Sequence, residues 1–312
     1  MYNLSQTHIE QILGNPDTRY FASGFRYFIN EITHFQVCPD SIKGEVEFEY
    51  SGPSRPRDEK VHLGSIELTA LSLTLSTFAL NRLGKINKED TERAFIRKQI
   101  LHISNSLYVG RQSFECTLIK TTRDFNSLQG YVSLMEVNFN KLVKIQLEID
   151  HRGYSSYKQL PINEIIPLEL VQLYSLGYKS TEIDFYPAHI DLEAKTILAE
   201  IKYTHLFDEN AYTGVGSARN NLLTTDAIRV FGQLMQTLLY TLENTNRETC
   251  NNIWLRKLAL SKERPEYNKK IKSYVKFDDI RQLTIKDKNW ELINLHGQVG
   301  NYAGQFQVAY QK

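Results

Sequence analysis

The chain is poor in the residues that carry the most specific chemistry. Its three cysteines, Cys38, Cys116 and Cys250, form no CxxC pair and have no metal-ligand spacing. A disulfide framework and a thiolate metal site are thereby excluded, no metal or other cofactor is expected, and a reduced, cytoplasmic setting is the default. No apolar run reaches the roughly 20 residues needed to span a bilayer. Met1 to Gln6 lack a basic n-region and an apolar h-region, so no secretory signal is read. Charge of one sign is also missing: Lys and Arg number 37 against 36 Asp and Glu, a net +1. Bulk attraction to nucleic acid or to an anionic membrane is therefore not expected. Gly214-Val215-Gly216 lacks the third glycine of a dinucleotide loop, since position 219 is Arg219, and no βαβ unit frames it. A mobile loop over a cleft is the better reading there.

What the chain does have is a repeat. Adding 159 to Glu67 gives Asp226, and the same shift carries Phe95-Ile96-Arg97-Lys98 onto Trp254-Leu255-Arg256-Lys257. Between acid and Arg-Lys, both copies hold a long apolar helix pattern and then a polar break. The preceding strands match at a shift of 153, with Val46-Glu47-Phe48-Glu49-Tyr50 over Ala199-Glu200-Ile201-Lys202-Tyr203. The loop leading into the second helix is therefore six residues longer, the difference between 159 and 153. Order and spacing, more than identity, mark a duplicated domain.

Apolar periodicity predicts a short helical piece from Ile9 to Leu13 and long helices over Ser65–Leu80 and Thr225–Leu242. Apolar residues cover more than one face of the first long helix, which predicts burial. Strands are expected in a hairpin over 31–50 and at about 95–103, 112–120, 130–138 and 141–150. A turn is expected at Asn138-Phe139-Asn140. A second hairpin is expected at 181–204, then strands at about 252–260, 270–277, 281–286, 288–296 and 304–310. Pro167 to Leu173 reads as a short helix. One helix followed by antiparallel strands, twice, implies an α+β double hotdog, with two central helices each wrapped by sheet. The units are 1–152 with an N-terminal extension, a linker at 153–180, and 181–312.

Three motifs in the first third resemble the avirulence D family. Tyr20-Phe21-Ala22-Ser23-Gly24-Phe25-Arg26 resembles its aromatic-Phe-x-Thr-Gly-Phe-Arg motif. His62-Leu63-Gly64-Ser65-Ile66-Glu67 resembles its His-Ile-Ser-Thr-Ile-Asp helix start, and Ala94-Phe95-Ile96-Arg97-Lys98 its Ala-Trp-Val-Arg-Arg strand. Glu67 replaces Asp and Phe95 replaces Trp, each keeping the chemical type. The resemblance implies synthesis of syringolide-type acyl sugar lactones from a β-ketoacyl donor and a pentulose. The chain is also similar to the A-factor synthase family of double hotdogs, which join a β-ketoacyl chain to a triose phosphate. In that second family an acid in the second helix is followed three residues later by Arg, as Asp226 is by Arg229. In the first copy no Arg follows Glu67, because position 70 is Ala70.

Several residues are candidates for the chemistry. Glu67 and Asp226, in corresponding first turns, are general-base candidates if burial raises their pKa. Each can equally stabilise its helix through the macrodipole. Arg229 shares a face with Asp226, either to orient it and hold an anion or as a simple intrahelical ion pair. His62, on the loop before the first helix, can carry a proton near neutral pH; His205 is its counterpart on the longer loop. Arg97 and Arg256 can meet phosphates of a carrier arm, although solvent-facing strand charges fit them as well. Phe95 and Trp254 are read as core aromatics. The leading expectation is an enzyme that condenses a β-ketoacyl thioester, on CoA or an acyl carrier protein, with a sugar, acting as monomer or homodimer. Backbone N–H groups at a helix start would stabilise the oxyanion. A dehydratase or thioesterase using His62 with Asp226 is one alternative, and a non-catalytic ligand-binding module is another.

Overall fold

In the computed structural model, the described residues are 6–53, 60–153 and 172–312, without 207, 209, 210, 251, 252 and 286. The first half runs β1 (Gln6–Thr7), α1 (Ile9–Leu13), β2 (Phe28–Val37), β3 (Ser41–Tyr50), α2 (Ser65–Arg82), α3 (Lys88–Arg93), β4 (Phe95–Ile103), β5 (Gly110–Arg123), β6 (Tyr131–Phe139) and β7 (Val143–His151). The second runs β8 (Thr181–Phe185), β9 (Ala188–Asp191), β10 (Thr196–His205), α4 (Thr224–Leu242), β11 (Ile253–Ser261), β12 (Lys270–Ile285), β13 (Lys288–Val299) and β14 (Tyr302–Gln311). The short helix expected from Pro167 lies almost wholly outside the described residues.

One antiparallel sheet takes in all of these strands, in the order β1-β9-β10-β12-β13-β14-β11-β4-β7-β6-β5-β3-β2, with β8 also on β10. Each half follows one path: edge hairpin, helix, a strand at the seam, then three meandering strands. The seam is the β4–β11 ladder, where Lys257 faces His102, Ala259 faces Ile100 and Ser261 faces Lys98. The 159-residue shift exchanges the first and last of these pairs, and it carries Ile100 onto its own partner Ala259. A twofold relation between the halves therefore passes through that pair. Both seam strands also carry a bulge at the same place, between Ile96 and Lys98 and between Leu255 and Lys257. Duplicated bulges are retained features of a backbone.

The two long helices pack against this sheet. α2 packs on β3, β5 and β6, α4 packs on β8, β10, β12 and β13, and the helices touch each other. Every residue of α2 from Ser65 to Asn81 is buried. Several of its hydroxyls are hydrogen-bonded. Ser72 donates to the Leu68 carbonyl at 2.7 Å, Thr77 donates to Leu73 at 3.0 Å, and Thr69 accepts from Gln99 at 2.6 Å. α4 keeps a more one-sided pattern, with Gln236 half-buried on its flank.

Three local details differ from expectation. β12 is continuous across 278–280, where two strands, 270–277 and 281–286, are expected; a bulge lies between Phe277 and Asp279. The turn after β6 sits at Asn140 and Lys141, both at positive φ. That is the requirement of a tight primed turn, which Asn meets well. α3 begins at an Asn87 cap that accepts from the Asp90 N–H.

The twofold relation extends further than the repeat read from the sequence. Tyr20 to Arg26 has its own counterpart at Leu173 to Lys179, at the shift of 153. Both segments end in a 3-10 turn, Gly24–Tyr27 and Gly177–Ser180. Phe25 N–H bonds Tyr20 at 3.1 Å, as Tyr178 N–H bonds Leu173 at 2.8 Å. The basic side chains cross over. Arg26 donates to the Thr181 carbonyl at 3.1 Å, and Lys179 donates to the Phe28 carbonyl, the position equivalent to Thr181. Residues 173–179, read as part of a linker, are thus an ordered motif that ties the halves together.

Candidate functional site

Glu67 and Asp226 each occupy the third position of their helix, and both are fully buried. Their partners differ. Glu67 Oε2 accepts from the Gly64 N–H at 3.0 Å, half of a capping box, and from the Tyr20 hydroxyl at 2.5 Å. That hydroxyl in turn accepts from the Ile66 N–H at 3.1 Å. Gly64 is required there: a Cβ would lie 2.1 Å from the Tyr20 oxygen. The counterpart of Tyr20 is Leu173, which has no hydroxyl, and Asp226 is met instead by Arg229 at 2.9 Å.

Arg229 is itself saturated by backbone. It donates to the carbonyls of Thr181 at 2.9 Å, Ala22 at 3.2 Å and Phe21 at 3.3 Å, and its guanidinium lies 4.5 Å over the Phe25 ring. Burial pushes the Asp226 carboxyl up to about 6, against the opposing charge of Arg229. The Leu223 N–H and Thr181 hydroxyl also favour the carboxylate, although Oδ2 has no well-formed hydrogen bond among the described residues. Arg229 is lowered by the same burial. The pair reads as a staple holding the 20–26 motif and β8 onto α4.

Two adjoining cavities lie elsewhere, between the start of α2 and the flank of α4. The outer one, about 190 Å³, is lined by Arg19, Tyr20, His62, Gly64, Ser65, Ser106, Gln236, Tyr240, Arg247 and Trp254, among others. The inner one, about 70 Å³, is walled by Ile228, Phe231, Gly232, Met235, Leu258, Leu295, Phe306 and Val308. They share Phe21, Ser65, Gln236, Ile253 and Leu255. A polar vestibule thus adjoins an apolar chamber, with the first turn of α2 at the junction. Asp226, a general-base candidate in the sequence, lines neither; its first turn is closed by Arg229 and the backbone.

The remaining candidates separate in the same way. His62 is on the vestibule wall, its ring 5.1 Å from that of Trp254. Trp254, expected in the core, is half-buried and faces the cavity, while its counterpart Phe95 is buried. Glu67 sits behind the wall, linked to it through Tyr20. His205 lies off both cavities beside Tyr203; burial pushes it down to about 4. Arg97 and Arg256 are the bulge residues of the seam strands; Arg97 bonds Asp124 at 2.5 Å and Arg256 is exposed. Neither lines a cavity. Among the described residues, no three His, Cys, Asp or Glu side chains gather as a metal site requires.

The second half has the same cleft by symmetry, and the longer loop fills it. Thr77, Ala94 and Phe95 are the counterparts of Gln236, Ile253 and Trp254. The Val215 N–H donates to Thr77 at 3.1 Å, Gly216 lies against the Ala94 carbonyl, and Arg219 lies 5.8 Å over Phe95. Arg219 also donates to the Arg93 carbonyl at 2.6 Å. Gly214 takes a φ of +98° with a Cβ position only 3.1 Å from the Thr77 hydroxyl, so glycine is needed for backbone and space alike. The loop expected to be mobile over the cleft is packed inside it.

The fold is a duplicated antiparallel sheet, and among the described residues one of its two symmetry-related clefts is left open. The chain belongs to the Pseudomonas avirulence D protein (AvrD) family, whose family model matches residues 5–311. No curated protein matches it. Among solved structures it is similar to a hot dog fold protein of unknown function from Alicyclobacillus acidocaldarius, at 10% identity and a TM-score of 0.46, covering 95% of this chain and 98% of that one. An acyl-CoA thioesterase II from Mycobacterium marinum gives 10% identity and 0.41, over 90% and 95%. A dehydratase domain from the CurJ module of curacin polyketide synthase gives 10% and 0.38, over 90% and 96%. Likenesses at this level lend no weight to a function for this chain. Among the described residues, no helix is long and apolar enough to cross a membrane.

Proposed function

We propose that the protein is a double hotdog enzyme of acyl-thioester metabolism that condenses a β-ketoacyl thioester with a small sugar. The observation that carries this reading is the adjoining pair of cavities, polar at the vestibule and apolar in the chamber, meeting at the first turn of α2. The acyl chain would occupy the chamber and the thioester carbonyl would lie at the junction, near Ser65. The positive end of the helix dipole favours charge developing on that carbonyl oxygen. His62 is the group on the vestibule wall suited to accept the sugar hydroxyl proton. The alkoxide oxygen bonds to the carbonyl carbon, the carbon–sulfur bond breaks, and the leaving thiolate takes up the proton. Ester and free thiol are the products. Holding both reactants in one cleft would itself contribute several kcal/mol.

Glu67 would act on this site through Tyr20, as a positioning residue. Asp226 and Arg229 hold the scaffold, and Arg97, Arg256 and His205 stand outside the cleft. The donor is carried by CoA or by an acyl carrier protein. The test is purified protein with a β-ketoacyl thioester, with and without a triose or pentulose, read by thiol release and by mass spectrometry of the products. Thiol release that needs the sugar, with acyl ester formed, supports condensation. Thiol release without sugar would make it a thioesterase. Conversion only of a 3-hydroxyacyl thioester to an enoyl product would make it a dehydratase, and no turnover with measurable binding would leave a ligand-binding module.

A further inference from the structure

Among the described residues, the vestibule wall carries two guanidinium groups and no carboxylate. Arg19 precedes the Tyr20 motif and is only 4% exposed. Its Nε and Nη1 have no hydrogen-bond partner among the described residues. Its one ion pair is loose, Nη2 to Glu10 at 3.9 Å, and Glu10 is half-exposed. Buried arginine donors are normally satisfied, and here two idle ones belong to a side chain that lines the cavity. Arg247, on the segment after α4, lines the same cavity and donates to Thr18 at 3.3 Å. It is near enough to Arg19 for the two charges to interact. Burial lowers the Arg19 pKa, Glu10 opposes this, and Arg247 adds to the lowering.

We infer that Arg19 and Arg247 form an anion subsite of the vestibule that takes a phosphate group of the ligand. A phosphate offers three acceptor oxygens and a charge near −2, which matches two forked donors better than a single carboxylate does. Arg19 is the counterpart of Gln172 at the shift of 153, so its charge is not repeated in the other half, whereas Arg247 corresponds to Lys88 at the shift of 159. The inference deepens the proposed function by adding a recognition element to the same cleft. The phosphate has two possible sources, the phosphopantetheine arm of the donor or a phosphorylated sugar acceptor.

Calorimetry separates them on the full chain, with 4′-phosphopantetheine against pantetheine and dihydroxyacetone phosphate against dihydroxyacetone. Arg19→Gln and Arg247→Gln are each expected to weaken the phosphorylated probe of one pair by about 10-fold or more. The dephosphorylated partner should bind alike to all three proteins. Discrimination within the pantetheine pair assigns the donor arm, and within the triose pair the acceptor. If Arg19→Gln does not fold, the half-buried Arg247→Gln decides. Failure of the unaltered chain to bind any phosphorylated probe, or binding unchanged in the variants, overturns the subsite. Phosphate binding without turnover would sink the proposed reaction and leave the subsite standing.

Discussion

The Tyr20 hydroxyl and the Glu67 carboxylate share a 2.5 Å hydrogen bond directly behind the vestibule wall. The tyrosine also takes the Ile66 N–H, so one side chain fixes the wall, the acid and the helix start together. Among the described residues the other half has no equivalent, and Arg229 does the corresponding holding from within α4.

Tyr20→Phe leaves a buried carboxylate and a helix N–H short of a partner. It should lower stability by about 1–3 kcal/mol and reduce turnover with it. His62→Asn should cost about 10²–10⁴-fold in rate, as loss of a proton acceptor does, with an unchanged melt. Thermal melts beside steady-state kinetics separate the two. A His62→Asn protein with full activity removes His62 from the proposed chemistry.

Gly232 sets the shape of the chamber. A Cβ there would come within 2.7 Å of three ring carbons of Phe21, a residue common to both cavities. Gly232→Ala should push that ring into the junction. KM should rise for long acyl donors and stay level for short ones. An equal rise for all lengths would place the acyl chain elsewhere.

Asp226 predicts a stability signature. Its folded pKa of about 6 lies above the ordinary 3.8, so the folded state binds a proton more tightly than the unfolded chain does. Stability should be fully present below about pH 4, fall as pH rises to about 6, and change no further from this group. The whole drop is on the order of 3 kcal/mol. In Asp226→Asn that slope should vanish. Denaturant midpoints at several pH values measure it; a slope surviving in the variant assigns it to another residue.

Lys262 gives the opposite sign. It is buried, hydrogen-bonded to Tyr302 at 2.6 Å, and burial lowers its pKa from 10.5 to about 7. The unfolded chain therefore binds the proton more tightly. Stability should rise from about pH 7 to 10.5. Lys262→Met should flatten that rise, and denaturant midpoints across the window test it.

Much of this architecture was legible in the sequence because it is local and repeated. Apolar periodicity placed α2 and α4 to within two residues at either end, and the 159-residue shift reappears in the register of the seam. The repeat at 173–179 escaped notice because Leu-Tyr-Ser-Leu-Gly-Tyr-Lys keeps the shape of Tyr-Phe-Ala-Ser-Gly-Phe-Arg with only the glycine identical. The location of the cleft was not legible. Both helix starts look alike, and only the path of residues 211–219 through space decides which side remains unfilled. Arg19 was missed too. Its signal was present, a cation abutting an aromatic motif and replaced by Gln172 in the other copy, but its idle donors exist only once the chain is folded.

The packed loop at Gly214–Arg219 has a consequence for valency. A molecule built on twofold symmetry ordinarily offers its ligand two equivalent seats, and occupancy of one can bias the other. Here one seat is held permanently by the protein's own backbone, anchored at Thr77 and the Arg93 carbonyl. On the proposed reading, one cleft per chain is left for a ligand despite the symmetry. Ligand should titrate to one equivalent per chain along a simple hyperbola, and homotropic cooperativity can arise only between chains.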